Sequence, residues 1–117
     1  MAQPLLLQMP AFEWRAANRM AGRGDRNAIA ALANLWNDYR EQAIHCFLCQ
    51  KRVAFPPFSQ ILPETGDGSK IVIAPICPQC HAMPSALRFN KCLALVKEMY
   101  FQRKPSVSLD FSRPNSQ

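Results

Sequence analysis

The chain has no apolar run long enough to cross a bilayer: its longest, Ile71 to Cys77, falls far short of the ~20 residues a spanning helix needs. The N-terminus, Met1-Ala2-Gln3-Pro4-Leu5-Leu6-Leu7, lacks a basic stretch and is too briefly apolar for a secretory signal, so a cytoplasmic location is expected. Histidine is scarce: only His45 and His81 are present, both beside cysteines, and a nuclease of the His-Asn-His kind would need more. Carboxylates are few as well. The eight Asp and Glu are scattered without an evident acid/base pair, so neither an enzyme nor a small-molecule substrate is indicated. What the chain does have is cysteine, five in 117 residues, and four of them fall in two C-x-x-C pairs.

A length of 117 residues and an apolar fraction of 49% suit one globular domain. From Asp25 onward Ala28, Ile29, Leu32, Leu35, Trp36, Tyr39 and Ala43 recur every three or four residues, which predicts an amphipathic helix over 26–44 with Asp25 as its cap. Phe12, Ala16 and Met20, four apart, predict a shorter helix over 11–21, with Gly22 as its stop. Lys51 to Phe55, Phe58 to Leu62 and Lys70 to Ile73 are strand-like, and the turn-rich stretch Pro63 to Ser69 predicts an antiparallel hairpin between the last two. Pro56-Pro57 removes two backbone donors and confines its surroundings to an edge or a kink. Phe89, Cys92, Leu93, Val96 and Tyr100 predict a last helix over 85–103, with Cys92 facing the core. The expected fold is therefore α+β: a single domain over 1–104, with a helical part at 11–44 and a metal unit at 45–104. Residues 105–117, rich in serine and proline, are expected to form a flexible tail.

Cys46-Phe47-Leu48-Cys49 and Cys77-Pro78-Gln79-Cys80 each set two sulfurs across a tight turn, and two such turns complete a tetrahedral structural zinc site. The 27 intervening residues are accommodated if the hairpin runs out and back. Ligand chemistry alone also admits an iron centre of the same type. Free thiols in a reducing compartment, and an odd cysteine count, favour metal over disulfides. Cys77-Pro78-Gln79-Cys80-His81 also matches the C-x-x-C-H pattern of covalent haem attachment, an alternative that leaves Cys46 and Cys49 without a role. The order of turn, hairpin, turn and helix over about residues 44–103 resembles the treble-clef group of zinc fingers; a zinc ribbon would continue into a strand where Ser85 to Arg103 is helical in pattern. Gln50 and His81 stand where such knuckles commonly carry glycine. His81 is expected as a turn residue with positive φ.

Treble clefs host both nucleic-acid binding and protein docking, so the resemblance leaves two kinds of partner open. A net charge of +6 favours the first. Candidate phosphate contacts are Arg15, Arg19, Arg23 and Arg26 near the N-terminus, then Lys51 and Arg52, then Arg88 and Lys91, with Phe55 and Phe58 available for base stacking. The alternative is a protein-docking adaptor in which the helix carrying Trp36, or the hairpin, presents a surface.

Overall fold

The computed structural model describes residues 5–64, 67–99 and 104–109. Its centre is a three-stranded antiparallel sheet of β1 (Leu7–Pro10), β2 (Phe58–Pro63) and β3 (Lys70–Ile76) in the order β1-β3-β2. The expected hairpin is present, with Phe58 opposite Ile76 and Pro63 opposite Ile71. Ile71 to Ile76 are all buried, so both faces of the central strand are covered, which is why this run is apolar without alternation. Pro75 sits within the central strand without breaking it because β1 pairs no further than its first residue, Leu7, opposite Ile73. Beyond that point the Pro75 carbonyl accepts from the Phe47 amide at 2.8 Å, so the first cysteine turn continues where β1 stops.

Two helices follow β1 directly. α1 (Ala11–Gly22) begins with its Ala11 amide bonded to the Ser69 carbonyl, so the residue just before β3 supplies the acceptor that a side-chain cap would otherwise provide. Its buried side is Ala11 and Ala17, not the expected stripe through Phe12, which is 70% exposed. Small side chains decide this: Ala17 faces a helix whose own buried residues are Ala28, Ala30 and Ala31, and alanines on both sides permit close approach. The helix ends at Gly22, and the left-handed residue that closes it follows two positions on. Gly24 at φ +86° takes the left-handed position, with its amide bonded to the Ala21 carbonyl and that of Asp25 to Met20. Asp25 then caps α2 (Arg26–Ala33), its side chain accepting from the Ala28 amide at 2.9 Å.

The helix expected to reach residue 44 ends at Ala33. Leu35, Asn37, Tyr39 and Gln42 donate to carbonyls only three residues back, and Asn37–Tyr39 is a short 3-10 turn. Asn34 and Asn37 bond each other through their side chains at 3.0 Å, the local competition by which asparagine loosens a helix. Three-residue turns keep Leu35, Trp36 and Tyr39 at spacings that resemble an α-helix over so short a span. They also turn Trp36 inward, where it is 3% exposed and donates to Ser59 Oγ at 2.9 Å. Trp36 is thus a core residue and presents no docking surface.

Lys51 to Phe55 forms no strand; a single bridge pairs Arg52 with His45 before the Pro56-Pro57 break. After β3 the chain makes one helical turn, α3 (Pro78–His81), and then α4 (Ser85–Glu98), which packs Cys92 and Val96 into the core. Burial pushes the Cys92 thiol up to about 11 and keeps it neutral. Tyr100 to Arg103, the end of the expected last helix, lie outside the described residues. The expectation of a tail from residue 105 gives way, as far as Leu109, to a segment lying along β1. The Gln8 amide donates to the Pro105 carbonyl and the Val107 amide to Gln8, while Leu109 is buried and its amide donates to Glu13 Oε1. The segment satisfies the outer edge of β1, which would otherwise stay unpaired. Residues 110–117 lie outside the described residues. Among the described residues no helix is long and apolar enough to cross a membrane.

Candidate metal centre

The first cysteine pair is shaped by backbone bonds that fold residues 44–53 back on themselves. The Cys46 amide donates to the Lys51 carbonyl at 2.7 Å, Gln50 donates to Cys46, and Val53 to Ile44. Gln50 closes the turn at φ +67°, the left-handed conformation that glycine adopts without penalty. The chain therefore keeps the turn geometry of the glycine position with a glutamine in it. Gln50→Gly is expected to stabilise the protein by about 0.5–1 kcal/mol, since relief of the left-handed strain outweighs the added freedom of the unfolded chain. Urea unfolding at fixed metal content measures this; a lowered midpoint would show that the glutamine side chain contributes more than its backbone costs.

The second pair is built differently. Pro78 opens α3 at a position needing no amide hydrogen, and the Cys77 sulfur caps that turn by accepting from the Cys80 amide at 3.4 Å. His81 consequently ends a helical turn and does not take the positive φ expected for it; among the described residues only Gln50, Gly24 and Gly68 do. Its ring lies flat on Phe58, with centroids 4.1 Å apart and planes within 9°.

These two turns bring the sulfurs of Cys46, Cys49, Cys77 and Cys80 to within 4.8 Å of one another, and Cys49 and Cys77 lie 3.6 Å apart. Sulfurs held at ~2.3 Å on a tetrahedron around zinc would be separated by ~3.8 Å, so the cluster lies close to the spacing of a four-thiolate metal site. All four members of the sequence-derived ligand set are brought together. His45 is exposed and His81 is stacked on Phe58, so the cluster consists of thiols alone.

The electrostatics ask for a cation. Burial works against a thiolate at Cys46, yet the backbone amides of Cys49, Cys77 and Leu48 outweigh it and bring that thiol down to about 7. At Cys49 the Lys51 amide favours the thiolate, but burial and the neighbouring Cys46 and Cys77 side chains prevail and push it up. Burial and the same neighbours push Cys80 up strongly. A thiolate is favoured at Cys46 and resisted at Cys49 and Cys80, because negative sulfurs this close repel each other. A divalent ion removes that repulsion, and its binding displaces the remaining thiol protons.

The cationic residues singled out from the sequence are dispersed. Arg15 and Arg19 are exposed one turn apart on α1, and Arg23 and Arg26 are exposed around the α1–α2 turn. Lys51 and Arg52 are exposed beside the first cysteine turn, with Lys51 Nζ 3.4 Å from Gln79 Oε1 on the second. Lys91 is exposed on α4. Arg88 differs: its Nε donates to Gln60 Oε1 at 2.7 Å and its Nη1 to the His81 carbonyl at 2.6 Å, so it ties α4 to β2 and to the end of α3. Phe55 is partly buried under the Arg40 guanidinium, while Phe58 is 46% exposed. Sequence reasoning missed the buried pair of Lys104 with Glu64, 3.2 Å apart, whose partners lie forty residues from one another in the chain. Compared with models of known families, with curated proteins and with solved structures, the chain matches none.

Proposed function

We propose that this chain is a small, non-catalytic, zinc-stabilised module of treble-clef-like architecture that binds nucleic acid through its exposed cations. The convergence of four thiols at one point carries the metal part of this reading. The donor set is soft and closed, which suits zinc in a structural role and leaves no open position for an activated water. Knuckle, hairpin, short second knuckle and α4 follow one another in the order of a treble clef. With all four sulfurs in one cluster, Cys77 and Cys80 have a use that haem attachment would remove. Thiol ligands also suit a reducing compartment, and we place the protein in the cytoplasm on that ground.

The nucleic-acid part is supported by exposed cations on both halves of the fold: Arg15, Arg19, Arg23 and Arg26 on the helical half, Lys51, Arg52 and Lys91 around the metal unit. Four thiolates and Zn²⁺ sum to −2, so the loaded protein retains about +4 of its +6. If about four phosphates are neutralised, affinity for nucleic acid falls on the order of 10²-fold between ~50 and ~200 mM salt. Retention on immobilised nucleic acid at those two concentrations tests this. Phe12, 70% exposed on α1, favours the second reading, an apolar protein-docking surface, whose binding would be almost indifferent to salt. Failure to bind nucleic acid at the lower salt would leave that second reading in possession.

A further inference from the structure

We infer that the open face of the Phe58 ring is a nucleobase-stacking position and that the nucleic acid recognised is single-stranded. This rests on the nucleic-acid reading above and specifies the form of partner it requires. Phe58 is the first residue of β2, and one face of its ring is covered by the His81 imidazole, 4.1 Å away and nearly parallel. It is nonetheless 46% exposed. With His81 on one face and almost half of the residue still in water, a third planar group stacked on the Phe58 ring would extend the column His81–Phe58 by one step.

The column is held at both ends by structure next to the cysteine cluster. Phe58 pairs in register with Ile76, the residue before Cys77, and His81 follows Cys80. Neither ring must be ordered when a base arrives, which lowers the entropic cost of binding. A cation is fixed beside the pair as well. Gln60 shares the Phe58 face of β2, two residues along, and accepts from Arg88, whose guanidinium also grips the His81 carbonyl. Lys91 is exposed almost one turn further along α4, and Lys51 meets α3 at Gln79. An aromatic face flanked by cations is the usual platform for an unpaired base and its phosphate. Bases inside a duplex are stacked on their neighbours and offer no such face, which excludes the double strand from this position.

The test uses the full-length, zinc-loaded chain and a fluorescently labelled oligothymidylate of about twelve nucleotides, beside a duplex of equal length, at ~50 mM salt. Phe58→Ala is expected to weaken single-strand binding by about 5- to 100-fold with an unchanged salt slope. Phe58→Leu, which keeps apolar bulk but has no π face, should behave like the alanine variant, and Phe58→Trp should restore binding. Lys91→Ala, by contrast, should reduce the salt slope by about one. Melting curves establish that each variant is folded, and should Phe58→Ala prove unstable, the leucine variant decides. Single-strand binding equal in wild type and Phe58→Leu, with loss only in cation variants, would overturn the stacking position and leave nucleic-acid binding standing. Equal wild-type affinity for the duplex would also overturn it. Absence of binding to either probe would remove both readings together.

Discussion

Stripping the metal, or replacing Cys49 by serine, is expected to lower the melting temperature and the solubility of the protein together, to the point where the second half of the chain no longer holds its fold. Structural zinc supplies on the order of 10 kcal/mol in small zinc peptides, comparable to the whole 5–15 kcal/mol that stabilises a typical domain. The effect should propagate here because the cluster is part of the core. Cys46 and Cys77 are 2% and 5% exposed, and Phe47, between the ligands of the first turn, is buried while its amide is bonded to β3. Without an ion, Cys49 and Cys80 hold their protons beside the Cys46 thiol, in a site shaped for four sulfurs. Cys49 is the best position for the substitution because it is exposed, so serine there disturbs ligation and little packing. Thermal melts with and without a strong chelator measure the effect; coincident curves would contradict it.

The second large effect concerns the segment along β1. Glu64 Oε1 and Lys104 Nζ are 3.2 Å apart with both side chains less than a tenth exposed, and the other Glu64 oxygen accepts from Gln8 on β1. Lys104 also donates to the Met99 carbonyl. This pair joins the end of β2, the edge strand β1 and the segment after α4. Glu64→Ala removes the carboxylate that faces a buried ammonium and is expected to cost about 3–5 kcal/mol. Replacing both partners, as in Glu64→Leu with Lys104→Met, should recover most of that loss, since apolar groups of similar volume leave no charge unpaired. Urea unfolding of the single and double variants reads this directly. A loss below about 1 kcal/mol for Glu64→Ala would mean that the pair behaves as a solvated surface contact.

The part of the fold that local chemistry dictates was legible from the residues. Two C-x-x-C turns announce a shared thiol cluster whatever lies between them, and the turn-formers from Pro63 onward announce the β2–β3 hairpin. Asp25 announced the start of α2 because a cap acts within one turn. The rest depends on distant partners. β1 is four residues ending in proline, and its register with Ile73 is set some sixty residues away, so nothing near Leu7 marks it as a strand. The segment from Lys104 to Leu109 carries the serine and proline of a linker, yet it is ordered by Gln8, Glu13 and Glu64. Trp36 kept helical spacing through a series of tighter turns, which periodicity over three residues does not distinguish. Histidine tolerates a positive φ, which makes His81 look like a turn residue, but Pro78 and the Cys77 cap make the second cysteine pair a helical turn. In each case the deciding contact joins residues far apart in the chain, or a backbone bond outranks the side-chain pattern.

The claim on which all of this depends is that one ion is held by four sulfurs. Elemental analysis of the purified protein, paired with X-ray absorption at the metal edge, tests it most directly. The expected result is one zinc per chain with only sulfur neighbours at ~2.3 Å and no visible absorbance. Metal-free folded protein, nitrogen or oxygen among the neighbours, or the absorption bands of an iron centre or a haem would contradict it.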